Sequence, residues 1–110
     1  MKNEQIATAF QNNEKATNSN NSFFVEIING VTIAFSYGRH FPIAVKFNDG
    51  VLFNTSGYSN TTTRHKNLIL STLGELNDDD KTNTEHLSRI VDGVRFEEIK
   101  TKAELIEKKI

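Results

Sequence analysis

Two apolar runs, Phe23–Ile28 and Val31–Tyr37, stand on either side of the dipeptide Asn29-Gly30. No other feature of the chain restricts its fold so much. Asn and Gly tolerate the positive φ angles of a two-residue primed turn, whose twist matches the strands it joins. The turn then fixes the register: Ile28 opposite Val31, Glu26 opposite Ile33, Phe24 opposite Phe35. In that register both faces of the pair are largely apolar, which places the hairpin near the centre of a sheet.

Gly38 to Pro42 interrupts this pattern, and Pro42, with no donor for a ladder, belongs at a strand start or edge. Ile43, Val45 and Phe47 then alternate with Ala44 and Lys46, and Asn48-Asp49-Gly50 turns the chain into Val51-Leu52-Phe53 as a second hairpin. A helix is expected from about Thr62 to Leu73, carrying His65, Ile69 and Leu73 on one face and stopping at Gly74. Thr82-x-x-Glu85 reads as a capping box for a second helix ended by Gly93. Val94–Ile99 alternates like a charged edge strand. Thr101-x-x-Glu104 opens a terminal helix with Leu105, Ile106 and Ile110. The order is ββββ-α-α-β-α: an α+β domain with a small antiparallel sheet of about four to five strands and helices packed on one face.

At 110 residues the chain suits one core. Hydrophobic content is only 36%, and the Asn-rich start is the main cause. Residues 1–22 are therefore read as a flexible segment, within which Ile6, Ala9 and Phe10 allow a short helix that docks on the domain or on a second subunit. Residues 23–110 form the domain. No cysteine is present, which excludes disulfides and thiolate metal sites. No run reaches membrane-span length and no apolar signal core precedes the domain, so a cytoplasmic protein is expected. Residues 23–70 hold Arg39, Lys46, Arg64 and Lys66 against Glu26 and Asp49, a net charge of +2, whereas residues 71–110 carry −3. That mild asymmetry falls short of the footprint of a dedicated nucleic-acid binder but suggests a basic face around the strands.

The segment Gly57–Asn67 joins strand to helix and holds a tyrosine, four serine and threonine hydroxyls and three side chains able to carry positive charge. Hydroxyls and cations at a helix N-terminus suit an anion such as phosphate; the same residues also serve plain helix capping. A P-loop is excluded by the missing glycine spacing. His65 falls on the presumed core face, where a structural ring bonded to a backbone carbonyl, Tyr37 or Tyr58 is expected; a general base needs a partner, and no carboxylate is nearby in sequence. Tyr37, Arg39, His40 and Phe41 form a polar-aromatic tip suited to stacking on a base or anchoring an interface. Alternatively, they make a bulged connection that turns Phe41 inward. Asn77–Asp80 lacks the spacing of a calcium loop and reads as a solvated linker.

Phe35-Ser36-Tyr37-Gly38-x-x-x-Pro42-Ile43-Ala44 followed by Tyr58-Ser59-x-Thr61-Thr62-Thr63-x-His65-x-Asn67 resembles a small family found in phages, plasmids and other mobile elements. Its pattern is S-Y-x-x-P-V-A, then Y-S-x-T-T-S-x-H-x-N. This chain has a longer spacing before Pro42, Ile43 for Val and Thr63 for Ser. The resemblance implies a mobile-element accessory protein and supplies no catalytic residues. The expected function is therefore non-enzymatic: binding and modulating a host or defence protein, an anti-CRISPR-type inhibitor being one form. The alternative is a nucleotide or nucleic-acid phosphate binder, with His65 as the residue for any weak hydrolysis. The expected surface joins Tyr37, Arg39 and His40 to Tyr58, Thr62, Arg64 and Lys66. No cofactor, metal or membrane partner is implied, and a homodimer stays open through the terminal helix.

Overall fold

The computed structural model describes residues 2–108, with side chains as far as Leu105. Six strands lie side by side in chain order: β1 Ala16–Thr17, β2 Phe23–Ile28, β3 Val31–Ser36, β4 Pro42–Phe47, β5 Gly50–Asn54 and β6 Lys81–Thr82. Four helices accompany them: α1 Asn3–Gln11, α2 Asn60–Leu73, α3 Thr84–Arg95 and α4 Lys102–Lys108. The α+β class holds, but β6 runs parallel to β5, so the sheet is mixed rather than purely antiparallel.

The first hairpin forms as its turn dictates. Ile28 pairs with Val31, Glu26 with Ile33 and Phe24 with Phe35, and Asn29 and Gly30 take φ values of 50° and 81°. Every residue of β3 is buried, as expected of a strand with neighbours on both edges and cover on both faces. That double cover corrects the expectation of helices on one face. On one side Val31, Ile33, Phe35, Val45 and Leu52 pack with Leu87, Ile90 and Val94 of α3 and with Leu105 of α4. On the other, Val25, Ala34, Ile43 and Phe53 pack with Ile6 and Phe10 of α1 and Ile69 of α2. The bulge between β3 and β4 serves this second layer. Ala34 pairs with Ala44 but Phe35 with Pro42, so Ile43 is an extra residue, and Ile43 and Ala44 both join the α1/α2 side.

The boundary drawn at Phe23 does not mark where packing begins. Ile6 and Phe10 are wholly buried, and Lys46 closes the end of α1 by donating to the carbonyls of Phe10 and Gln11, both at 2.9 Å. A cation there meets the negative end of the helix dipole as well as its unpaired carbonyls. The Asn-rich loop is itself structured through side chains. Buried Asn18 accepts from the Phe23 amide at 3.1 Å and donates to Asn3 Oδ1 at 3.1 Å and Ser22 Oγ at 3.0 Å.

Two further expectations change. The predicted edge strand Val94–Ile99 is absent: α3 continues through Gly93 to Arg95, and the chain then reverses at Glu97, φ 63°. Ile99 returns beneath the helix, where a Cβ on Gly93 would lie 2.5 Å from its Cδ1. Gly93 is thus a contact point rather than a stop, and its carbonyl accepts from the amides of Glu98 and Ile99. The N-cap of α3 is Asn83, bonded to the His86 amide at 2.8 Å, while Thr82 belongs to β6. The Thr101–Glu104 cap of α4 is present; the expectations for the side chains of Ile106 and Ile110 lie outside the described residues. Among those residues, no helix is long and apolar enough to cross a membrane.

Candidate functional site

The start of α2 is tied inward. Ser59 is the N-cap, its Oγ accepting from the Thr62 amide at 3.1 Å and donating to Thr62 Oγ1 at 3.1 Å. Thr62 Oγ1 lies 3.0 Å from Ser36 Oγ, which lies 2.8 Å from Nδ1 of His65. Thr62, Ser36 and His65 are all buried. The assignment that uses every hydroxyl proton runs in one direction: Ser59 to Thr62, Thr62 to Ser36, Ser36 to Nδ1. The ring is then the tautomer protonated on Nε2. His65 also stacks on Phe23, with centroids 4.3 Å apart and planes 10° apart, and burial lowers its pKa from the ordinary histidine value, so the ring is neutral near pH 7. The core placement expected of His65 holds, but its partner is Ser36 rather than a carbonyl or a tyrosine.

This geometry removes Thr62 from the expected surface: it faces the core with its hydroxyl engaged. The basic face dissolves for a similar reason. Arg39 forms a two-pronged pair with Glu26, both bonds 2.7 Å, and sits over the ring of Phe24. That pair lowers the Glu26 pKa and raises that of Arg39. Lys46 caps α1. Lys66 donates to the Ser56 carbonyl at 2.7 Å and lies over Phe53, and burial lowers the pKa of both lysines. Of the four cations between residues 23 and 70, only Arg64 makes no hydrogen bond or ion pair among the described residues. Cations held by carbonyls and a carboxylate are poorly available to a phosphate.

The aromatic tip does come together. Tyr58, 59% exposed, sits with its ring 5.4 Å from Phe41, 5.9 Å from His40 and 6.2 Å from Tyr37. Phe41 turns into the core while Tyr37, at 42% exposure, stays at the surface. Tyr37 has φ 61°, a left-handed conformation uncommon for a bulky residue. Its amide is anchored on the Ser22 carbonyl at 2.8 Å. Of the expected surface, Tyr37, His40 and Tyr58 form one patch. Arg39 reaches to the opposite face of the sheet, over Phe24, and Arg64 is exposed on α2.

Ser36 is the residue that sequence reasoning missed. It follows Thr32 and Ala34 on the inward alternation of β3, and a hydroxyl at such a position needs a partner; that was the available signal. Among the described residues, no three His, Asp or Glu side chains gather as a metal cluster would require. No curated protein and no solved structure matches the chain. The model of a family of unknown function (DUF8033) matches residues 1–90, well over half of the sequence, and the chain belongs to that family.

Proposed function

We propose that this is a non-enzymatic binding protein that acts by occupying the surface of another protein through Tyr37, His40 and Tyr58. One observation carries the reading. Three accessible rings are gathered over buried Phe41, at a turn where Tyr37 holds a costly backbone conformation. Backbone strain concentrates at working sites because surrounding structure must be committed to maintain it. Rigid aromatics with a polar edge are favoured anchors for protein interfaces, giving large contact area at small entropic cost. The neighbouring hydroxyls and most cations are engaged internally, which disfavours the phosphate-binding alternative.

The partner class, a host or defence protein in the bacterial cytosol, rests on the resemblance of the Ser36–Ala44 and Tyr58–Asn67 patterns to mobile-element proteins. Inhibition of a defence system is one form that such occupancy takes. The test compares proteins captured from bacterial lysate by the wild type, Tyr58→Ala and Arg39→Ala. Proteins retained by the wild type and Arg39→Ala but lost with Tyr58→Ala support the reading. Equal capture by all three, or a retained nucleic acid whose binding collapses as salt rises, refutes it.

A further inference from the structure

The side chain of Asn29 does more than suit the first turn. Its Nδ2 donates to the Val94 carbonyl at 2.7 Å and lies 3.5 Å from that of Arg95, so the hairpin tip clasps the C-terminal end of α3. The Val94 carbonyl also accepts from the Glu97 amide, which occupies both of its lone pairs. The clasp therefore bears on the turn that sends Ile99 back beneath the helix. There Glu97 holds a φ of 63°, a conformation disfavoured for any residue with a side chain. Asn29 is also the only asparagine in the sequence followed by glycine. Both residues are exposed, and nothing stands within 4 Å of the place a Cβ on Gly30 would take. Among the described residues the Gly30 amide has no backbone partner.

An asparagine in that setting carries its own reaction. The Gly30 amide nitrogen, after giving its proton to water or hydroxide, attacks Cγ of Asn29. The new N–Cγ bond closes a five-membered imide, the Cγ–Nδ2 bond breaks, and Nδ2 leaves as ammonia with a proton from solvent. Water then opens the imide at either carbonyl, giving aspartate or isoaspartate. Glycine favours the step because no side chain shields its nitrogen or restricts its backbone. The clasp opposes it, since the amide must first leave Val94. One partly solvated bond of this kind slows ring closure by about tenfold relative to a free chain, and does not abolish it. Either product puts a carboxylate where a donor stood. It cannot donate to Val94, and it adds negative charge where the helix dipole is already negative. Arg95 is the neighbouring cation, but it is exposed, and an exposed pair returns little.

The geometry points to Asn29 as a site of spontaneous deamidation, whose product is the form in which the hairpin releases the end of α3. Protein held in mildly alkaline buffer should gain mass, as NH₂ gives way to OH, first in the proteolytic peptide that spans Asn29. Enzymatic methylation should detect isoaspartate in that same peptide. A synthetic peptide of residues 26–33 should react about tenfold faster than the folded chain. Amide hydrogen exchange reads the release. Asn29→Asp, whose Asp-Gly pair suits the same turn, should speed exchange at Glu97, Glu98 and Ile99 by about tenfold. Asn29→Gly keeps the turn but can neither clasp, react nor carry charge, and should speed exchange by less. Three results overturn the proposal: first conversion at another asparagine, an Asn29 that stays intact after the peptide has fully reacted, or exchange at the end of α3 no faster in Asn29→Asp than in Asn29→Gly.

Discussion

Replacing His65 with alanine tests how the buried cluster is held together, because several effects of similar size compete there. The ring is 1% exposed, so its loss removes buried volume and leaves a cavity, costing about 2–3 kcal/mol for a ring somewhat smaller than phenylalanine. The stack on Phe23, with centroids 4.3 Å apart, adds about 1 kcal/mol. The 2.8 Å bond to Ser36 adds about 1 kcal/mol, held to that level because Ser36 keeps Thr62 as a partner. Against these stands the unpaired Nε2–H, whose removal returns about 1–2 kcal/mol. The net expectation is a loss of about 3 kcal/mol, or a fall in Tm of roughly 12 °C for a domain of this size. Urea unfolding measures it directly, with the midpoint moving and the slope unchanged. A loss below about 1 kcal/mol would refute the reasoning, since the ring would then contribute no more than an exposed side chain.

Gly93→Ala should destabilise the protein by about 1 kcal/mol, although alanine gains about that much in helix propensity, because the new Cβ would press on Ile99 within a packed core; a rise in Tm would show that Ile99 moves aside freely. Ile6→Ala should cost about 3 kcal/mol in chemical unfolding, since Ile6 is wholly buried; an unchanged midpoint would mean that α1 adds nothing to the fold. The lowered pKa of His65 makes the unfolded state the better proton binder. Its stabilisation is therefore complete above about pH 6.5 and is lost as pH falls toward the native value, with a slope of at most about 1.4 kcal/mol per pH unit. His65→Phe should remove that part of the pH dependence, and an identical slope in both proteins would assign it elsewhere.

The parts of the fold legible in the sequence are those set by local chemistry. Asn29-Gly30 fixed its turn and three cross-strand pairs, and Gly74 marked the end of α2 because only local backbone geometry was involved. What stayed hidden depended on distant partners. Val94 to Ile99 alternates as a strand would, yet the contact between Gly93 and Ile99 folds it into a helix end and a return turn. The Asn-rich loop carries no apolar pattern, because its order comes from Asn18 bridging to Asn3, Ser22 and Phe23. In the candidate site, Tyr37, His40 and Tyr58 were found from their type and their loops. The inward turn of Thr62 and the capture of Lys46 and Lys66 by carbonyls depend on where α1 and the Ser56 loop come to rest, which no local spacing encodes.

The seat of α1 carries a consequence for how the molecule is assembled. This helix precedes α2 in the chain, yet Ile6 and Phe10 share their cluster with Ile69, more than fifty residues downstream. During synthesis that cluster stays incomplete: the strands can meet Ile6 and Phe10 first, but the flank that Ile69 covers stays open until α2 has emerged and taken its place on the sheet. A fragment ending before α2 would keep that flank bare indefinitely, and should clump where the intact chain stays dispersed.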